Sequence, residues 1–250
     1  MIAAATRAPW LVRVTAPVAW RTRRRIATKL MGFAATELGS SLDMIRASER
    51  TADPRLRRLF YRHGLDEARH AQRFREAAQR VYPGAAELLR PHERLHALRQ
   101  DLHERLGELD FIAFVHISES HARRQFEALE AHFARRPETA ALADLFRDIG
   151  RDEQQHSAYS GRLLDEQRAA GRGREVARAL RRVRLRGAWA GWRRAGRRIG
   201  DLLVRLLLTL LFVGVVPIFA GLARLSRRPR PGWQTPVDRP VTLDAMRRQA

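Results

Sequence analysis

Residues 59–74 read LFYRHGLDEARHAQRF. Phe60, His63, Glu67, His70 and Phe74 recur at three- and four-residue steps, the interval that returns a side chain to the same face of an α-helix. Leu56 and Ala78 continue that face on either side. A carboxylate and two imidazoles thus sit on a stripe whose other members belong in a core, where an unanswered charge is costly.

Three other stretches carry stripes of the same kind. They are Ile26, Leu30, Phe33, Glu37, Met44 and Ser48; then Leu109, Ile112, His116, Glu119, Phe126 and Phe133; then Leu142, Phe146, Ile149, Glu153, His156 and Leu163. Breakers separate the four: Thr51 to Pro54, Pro83-Gly84 with Pro91, and Pro137. The two short links predict two antiparallel hairpins, and the long one, from about Tyr82 to Leu106, predicts a crossover with room for a short helix. The expected fold is all-α, a four-helix bundle over residues 24–170.

The charged positions stand at matched heights. Glu37 and Glu67 lie about 15 residues on either side of the first turn, about 20 Å along the helix axes, and Glu119 and Glu153 straddle Pro137 in the same manner. Each hairpin sets a lone glutamate opposite a glutamate that has a histidine three residues on, Glu67 with His70 and Glu153 with His156. Four carboxylates in a dry core repel unless cations neutralise them, and two divalent metal ions would balance the charge.

In this pattern the chain resembles the ferritin-like di-iron carboxylate proteins, over roughly residues 24–170. That family takes one Glu from each of two helices and a Glu-x-x-His motif from each of the other two. The matching positions here are Glu37, Glu67, His70, Glu119, Glu153 and His156. Asp66-Glu67-Ala68-Arg69-His70 is similar to the DExRH string of the oxygenase and desaturase branches, and Asp152-Glu153-Gln154-Gln155-His156 is a looser copy without the arginine. The resemblance implies two iron ions, with manganese as the alternative, and makes Asp66 and Asp152 acceptors for the ligand imidazoles. His63 and His116 are expected beside the ligands as core or outer-sphere histidines. Tyr159, three residues after His156, reads as a packing tyrosine with its hydroxyl toward water or, in the alternative, as a residue near the metals, and Glu93 with His96 reads as a solvated pair that imitates the motif.

Composition narrows the chemistry. The 250-residue chain has no cysteine, which excludes disulfides, thiolate zinc sites, iron–sulfur clusters and cysteine nucleophiles. Its formal charge is +21, and Lys29 is the only lysine among 48 basic residues. Residues 1–36 hold seven bases and no acid, residues 37–170 hold 22 bases and 23 acids, and residues 171–250 hold 19 bases and four acids. A near-neutral centre between basic ends argues against a nucleic-acid module.

The ends point to a membrane. Leu206 to Ala223 are 18 residues without a charge, near the minimum for a span. The expected order is a basic, membrane-peripheral segment at 1–23 with Trp10 and Trp20 as anchors, the bundle, a basic amphipathic segment at 171–200 bearing Trp189 and Trp192, a transmembrane or re-entrant helix at 201–225, and a basic, disordered tail at 226–250. Arginine is denser before the span than after it, so the bundle is expected on the cytoplasmic face of a bacterial inner membrane.

Three functions compete at this stage. One is an O2-dependent oxidase, hydroxylase or desaturase acting on a membrane lipid or quinone, with electrons from a separate donor, as in the quinone-oxidising and quinone-hydroxylating members that the resemblance suggests. A second is a rubrerythrin-like ferroxidase or peroxidase, and a third a non-enzymatic membrane or nucleic-acid-binding bundle. Partners are expected to be lipid or quinone rather than nucleic acid, and a homodimer is compatible with all three.

Overall fold

The computed structural model describes residues 9–88 and 101–225, and among them there is no strand. Four long helices carry the stripes: α2 (Arg23–Arg50) and α3 (Pro54–Val81), then α5 (Glu108–Phe133) and α6 (Ala140–Gln167). They are preceded by α1 (Pro9–Ala19), and α4 (Leu102–Leu106) lies in the crossover. The link between α3 and α4 also contains a 3-10 turn over Pro83–Leu88.

Local chemistry sets the boundaries. Thr22 Oγ1 accepts from the Arg25 amide at 3.3 Å and opens α2. Asp53 Oδ1 accepts from the Arg55 amide at 2.7 Å with Pro54 in the first turn, so α3 starts at once after the link. Gly107, at φ 77°, turns the chain between α4 and α5.

The two hairpins are α2 with α3 and α5 with α6, and α3 also meets α6. Helices α2 and α3 approach closely at Gly64, where a Cβ would stand 2.9 Å from Ile45 Cγ1 and 3.1 Å from the Ser41 carbonyl oxygen. Ser41 Oγ donates to the Gly64 carbonyl at 2.7 Å, locking the register that brings Glu37 level with Glu67.

Apolar packing separates into two clusters along the bundle. One holds Phe74, Phe126, Phe133 and Phe146, and the other Met44, Phe60, Phe111 and Leu164. On every long helix the charged positions fall between the residues of the first cluster and those of the second, so the polar layer has an apolar cap on each side.

Both flanks depart from the expectation of lipid-facing segments. Trp20 is 8% exposed and meets Phe133 edge-on at 5.3 Å and Phe146 at 6.0 Å, so it belongs to the core rather than to a membrane surface. Val12 and Ala16 are buried beside it. At the other end α6 breaks at Gly171, φ 81°, and the chain resumes as α7 (Gly173–Leu210). Val176, Ala179 and Val183 are buried in the second cluster, and Arg182 clamps the buried Asp110 through Nε at 2.8 Å and Nη2 at 2.5 Å. The apolar face of 174–183 is therefore covered by protein, and the folded core reaches beyond both ends of 24–170. Trp189 and Trp192 stay exposed.

The chain divides into two compact units at Arg194. In the second unit Ile199–Leu225 is helical for 27 residues and contains an 18-residue stretch of mean hydropathy 2.6, none of which is buried. That is long and apolar enough to cross a membrane, at about 40 Å for 1.5 Å per residue. A π-turn over Leu211–Val215 precedes α8 (Val216–Leu225), just where Pro217 lacks an amide donor and its ring would crowd the preceding turn. The expectations for Glu93 with His96, for the tail at 226–250 and for the side chain of Trp10 fall outside the described residues.

Candidate metal centre

Seven buried side chains from four helices meet in the polar layer: Glu37 from α2; His63, Glu67 and His70 from α3; Glu119 from α5; Glu153 and His156 from α6. They form two groups that could each hold a metal ion. In one, ligand atoms of Glu37, Glu67, His70 and Glu153 all lie within 4.8 Å of one another, and in the other those of His63, Glu67, Glu119 and His156 do. Glu67 is common to both, its Oε1 standing 3.0 Å from His63 Nε2, 3.6 Å from His156 Nδ1 and 4.0 Å from His70 Nδ1.

The two motif histidines are oriented crosswise. His70 on α3 donates from Nε2 to Asp152 on α6 at 3.0 Å, and His156 on α6 donates from Nε2 to Asp66 on α3 at 3.2 Å. With Nε2 engaged outward, Nδ1 of each ring faces the layer, the arrangement by which an outer carboxylate fixes a ligand imidazole. Asp66 is itself held by Arg69.

Apart from His103 Nε2 in α4, the buried side-chain atoms left without a hydrogen bond among the described residues are ligand candidates. His70 Nδ1, His156 Nδ1 and both carboxylate oxygens of Glu153 have no partner. His70 Nδ1 and Glu153 Oε1 are 3.3 Å apart, close enough for an ion pair but not aligned for a hydrogen bond. Orphaned polar atoms of this number are rare in a native core, and a cation is a partner that satisfies them all. Oxygen and imidazole donors without sulfur suit iron, manganese or zinc.

Without a cation, protons balance the charge. Burial, then the neighbouring Glu67, raises Glu37 well above an ordinary carboxyl, and burial with the Glu153 charge does the same to Glu119. Glu67 and Glu153 move the other way: burial opposes their ionisation, but the His63 hydrogen bond and the adjoining Glu37 carboxyl at the first, and the adjoining Glu119, His156 and His70 at the second, outweigh it. Burial would also lower the two motif histidines, yet the bond to Asp152 and the nearby Glu153 carboxylate carry His70 up to about 10, and the bond to Asp66 and the nearby Glu153 carboxylate carry His156 up to about 9. His63 is lowered, first by burial and then by the His156 charge.

The metal-free layer therefore holds protons on His70 and His156 at pH 7 and favours them on Glu37 and Glu119, and a metal ion must displace them. Binding at pH 7 should release about one to two protons per metal ion, and affinity should fall as pH is lowered. Calorimetric titration of Fe(II) or Mn(II) in buffers of different ionisation enthalpy reads this directly, and binding without proton release would contradict it.

Two residues lie elsewhere than the sequence suggested. Tyr159 is 9% exposed and its hydroxyl points inward, 2.7 Å from His63 Nδ1. Its place three residues after His156, on the same stripe, was the available signal. His116 is half-buried and donates from Nδ1 to the Ser157 carbonyl at 3.0 Å, outside both ligand groups. His63, one turn before Glu67, stands among the ligand atoms rather than behind them.

No family model, curated protein or solved structure matches this chain. The site's own chemistry has to carry its assignment.

Proposed function

We propose that the chain is a membrane-anchored di-iron carboxylate protein of ferritin-like build that uses O2 to oxidise, hydroxylate or desaturate an apolar lipid or quinone. One observation carries this reading: four buried glutamates and the two crosswise-bonded histidines share a single layer, in which Glu153 and the inward Nδ1 atoms of His70 and His156 have no hydrogen-bond partner. The apolar helix over Ile199–Leu225 supplies the membrane part.

Glu37, Glu67, His70, Glu119, Glu153 and His156 would hold the ions. Two iron ions there would supply reduction of O2 or peroxide coupled to oxidation of the substrate. The chain's own part is positional and protective. Asp152 and Asp66 hold the His70 and His156 rings so that Nδ1 faces inward. The clusters around Phe74 and Phe60 exclude water on either side of the layer. His63 is neutral when it donates from Nε2 to Glu67, so its Nδ1 accepts the Tyr159 hydroxyl proton, and this pair can hold or pass one proton beside the ligands. A chain without cysteine has no built-in sulfur relay, so electrons come from a separate donor or from the substrate.

A chain ending after Arg194 tests the anchor, because Val176, Ala179 and Val183 keep their place in the core. It should leave the membrane fraction, keep its metal content and its reaction with O2, and lose most turnover of the physiological lipid or quinone in a deletion strain. Full complementation by the shortened chain at equal abundance would make anchoring incidental and favour oxidation of iron or peroxide in solution.

A further inference from the structure

At the end of the bundle where α2 and α6 begin and α3 and α5 finish, there is a cavity of about 460 Å³. That volume lies within the range of small-ligand sites, about 300–1,000 Å³. Its floor is apolar and buried, made by Trp20, Ile26, Phe133 and Leu142. Its rim is cationic: Arg21 comes from the link between α1 and α2, Arg23 from the start of α2, Arg80 from the end of α3 and Arg136 from the turn between α5 and α6. Glu138 is the only acid in the lining.

An arginine-rich chain puts arginine everywhere, so the convergence of four on one apolar cavity is the informative property. Along the bundle's sides Arg50, Arg55, Arg73, Arg147 and Arg182 each face a carboxylate at 2.5 to 2.9 Å, and arginines without an ion pair, such as Arg58 and Arg62, are exposed on the outer face of α3. Among the described residues Arg21, Arg23 and Arg136 have no ion pair, and Arg80 reaches only Glu76 of its own helix, at 4.0 Å. Two helix starts and the ends of α1, α3 and α5 meet here, so the helix dipoles add no net positive charge and the side chains set the sign. His132, also in the lining, is lowered by burial and then by Arg135 and Arg136, in keeping with a positive field.

We propose that this cavity binds an organic phosphate, with the phosphate on the four arginines and the organic part on the apolar floor. Guanidinium groups suit this role because they grip phosphate oxygens in pairs and stay charged. Leu142 is 11 residues from Glu153, about 16 Å along the helix, so the ligand does not touch the metal layer. The site stands or falls apart from the proposed redox chemistry.

The phosphate could be that of a soluble nucleotide or of a lipid headgroup, and two probes distinguish them. The full chain in detergent is titrated calorimetrically with ADP and with dihexanoyl phosphatidic acid at about 0.15 M salt, where exposed charges are screened beyond about 8 Å. At least one probe should bind saturably and be displaced by pyrophosphate, the stronger one naming the source. Replacing Arg80 and Arg136 together with Gln should weaken it by about tenfold or more. The same loss of charge on the outer face of α3, Arg58→Gln with Arg62→Gln, should leave it unchanged. Leu142→Trp, which fills the floor without altering charge, should also reduce binding. The circular dichroism spectrum and melting temperature of each variant report that it is folded. Absence of saturable binding by either probe, or equal loss from the two arginine pairs, would overturn the proposal.

Discussion

Glu67→Gln should strip the protein of metal while leaving it folded. The Glu67 carboxylate is the one shared by both ligand groups, so its charge serves both positions. Glutamine keeps the carbonyl oxygen that accepts from His63 Nε2, now at 3.0 Å, and fills the same volume. What disappears is one negative charge and the carboxylate common to both groups. Loss of an outer-sphere partner alone costs metal sites about 10–100-fold in affinity, and loss of a shared ligand should cost more. Metal analysis after dialysis should find the variant nearly empty, with a circular dichroism spectrum close to the parent's. Glu93→Gln, altering the Glu-x-x-His pair in the crossover, should retain full occupancy. Equal loss from both variants would mean that the bound metal is held by surface acids.

Phe146→Ala should produce the largest loss of stability of any single truncation in the bundle. The ring is fully buried and stands 5.6 to 6.0 Å from Trp20, Phe33, Phe74, Phe126 and Phe133. Removing a buried phenylalanine side chain costs about 3–5 kcal/mol, part from lost transfer energy and part from the cavity left behind. Trp20→Ala should fall in the same range, because Trp20 lies in that cluster. Trp189→Ala, at a residue 61% exposed, should hardly move the melting temperature. A Trp20 variant that melted like the parent but left the membrane would contradict the packing and restore an interfacial role.

The helices and their facing carboxylates were legible because both rest on short-range rules. Three- and four-residue stripes identify a buried face, and equal distances from a turn identify partners, as with Glu37 and Glu67 across the link at Thr51 to Pro54. That Asp66 and Asp152 accept from the imidazoles followed from the motif resemblance and not from spacing, and the crosswise pairing of Asp152 with His70 and of Asp66 with His156 was visible only in the structure. The destination of an apolar face was not legible. Lipid and protein core are alike to a valine or a tryptophan, so Trp20 and the amphipathic segment at 171–200 read as lipid-facing, whereas the bundle covers Trp20 and, in that segment, Val176, Ala179 and Val183. Side-chain direction set the other departures. Tyr159 turns its hydroxyl inward because His63 Nδ1 is free to accept it, and His116 turns to the α6 backbone because Gly161 lets the ring come close, with Cε1 3.2 Å from where a Cβ would stand. The cationic cavity gathers single residues from four segments, none of which forms a motif alone.

The most direct measurement is the metal content of the purified full chain, with optical and EPR spectra of the reduced protein before and after O2. The account predicts about two iron ions per chain, bound by oxygen and imidazole donors, and a spectrum that changes on exposure to O2 as iron is oxidised. A chain purified without metal that takes up neither Fe(II) nor Mn(II), or a metal-loaded chain indifferent to O2 and peroxide, would contradict it.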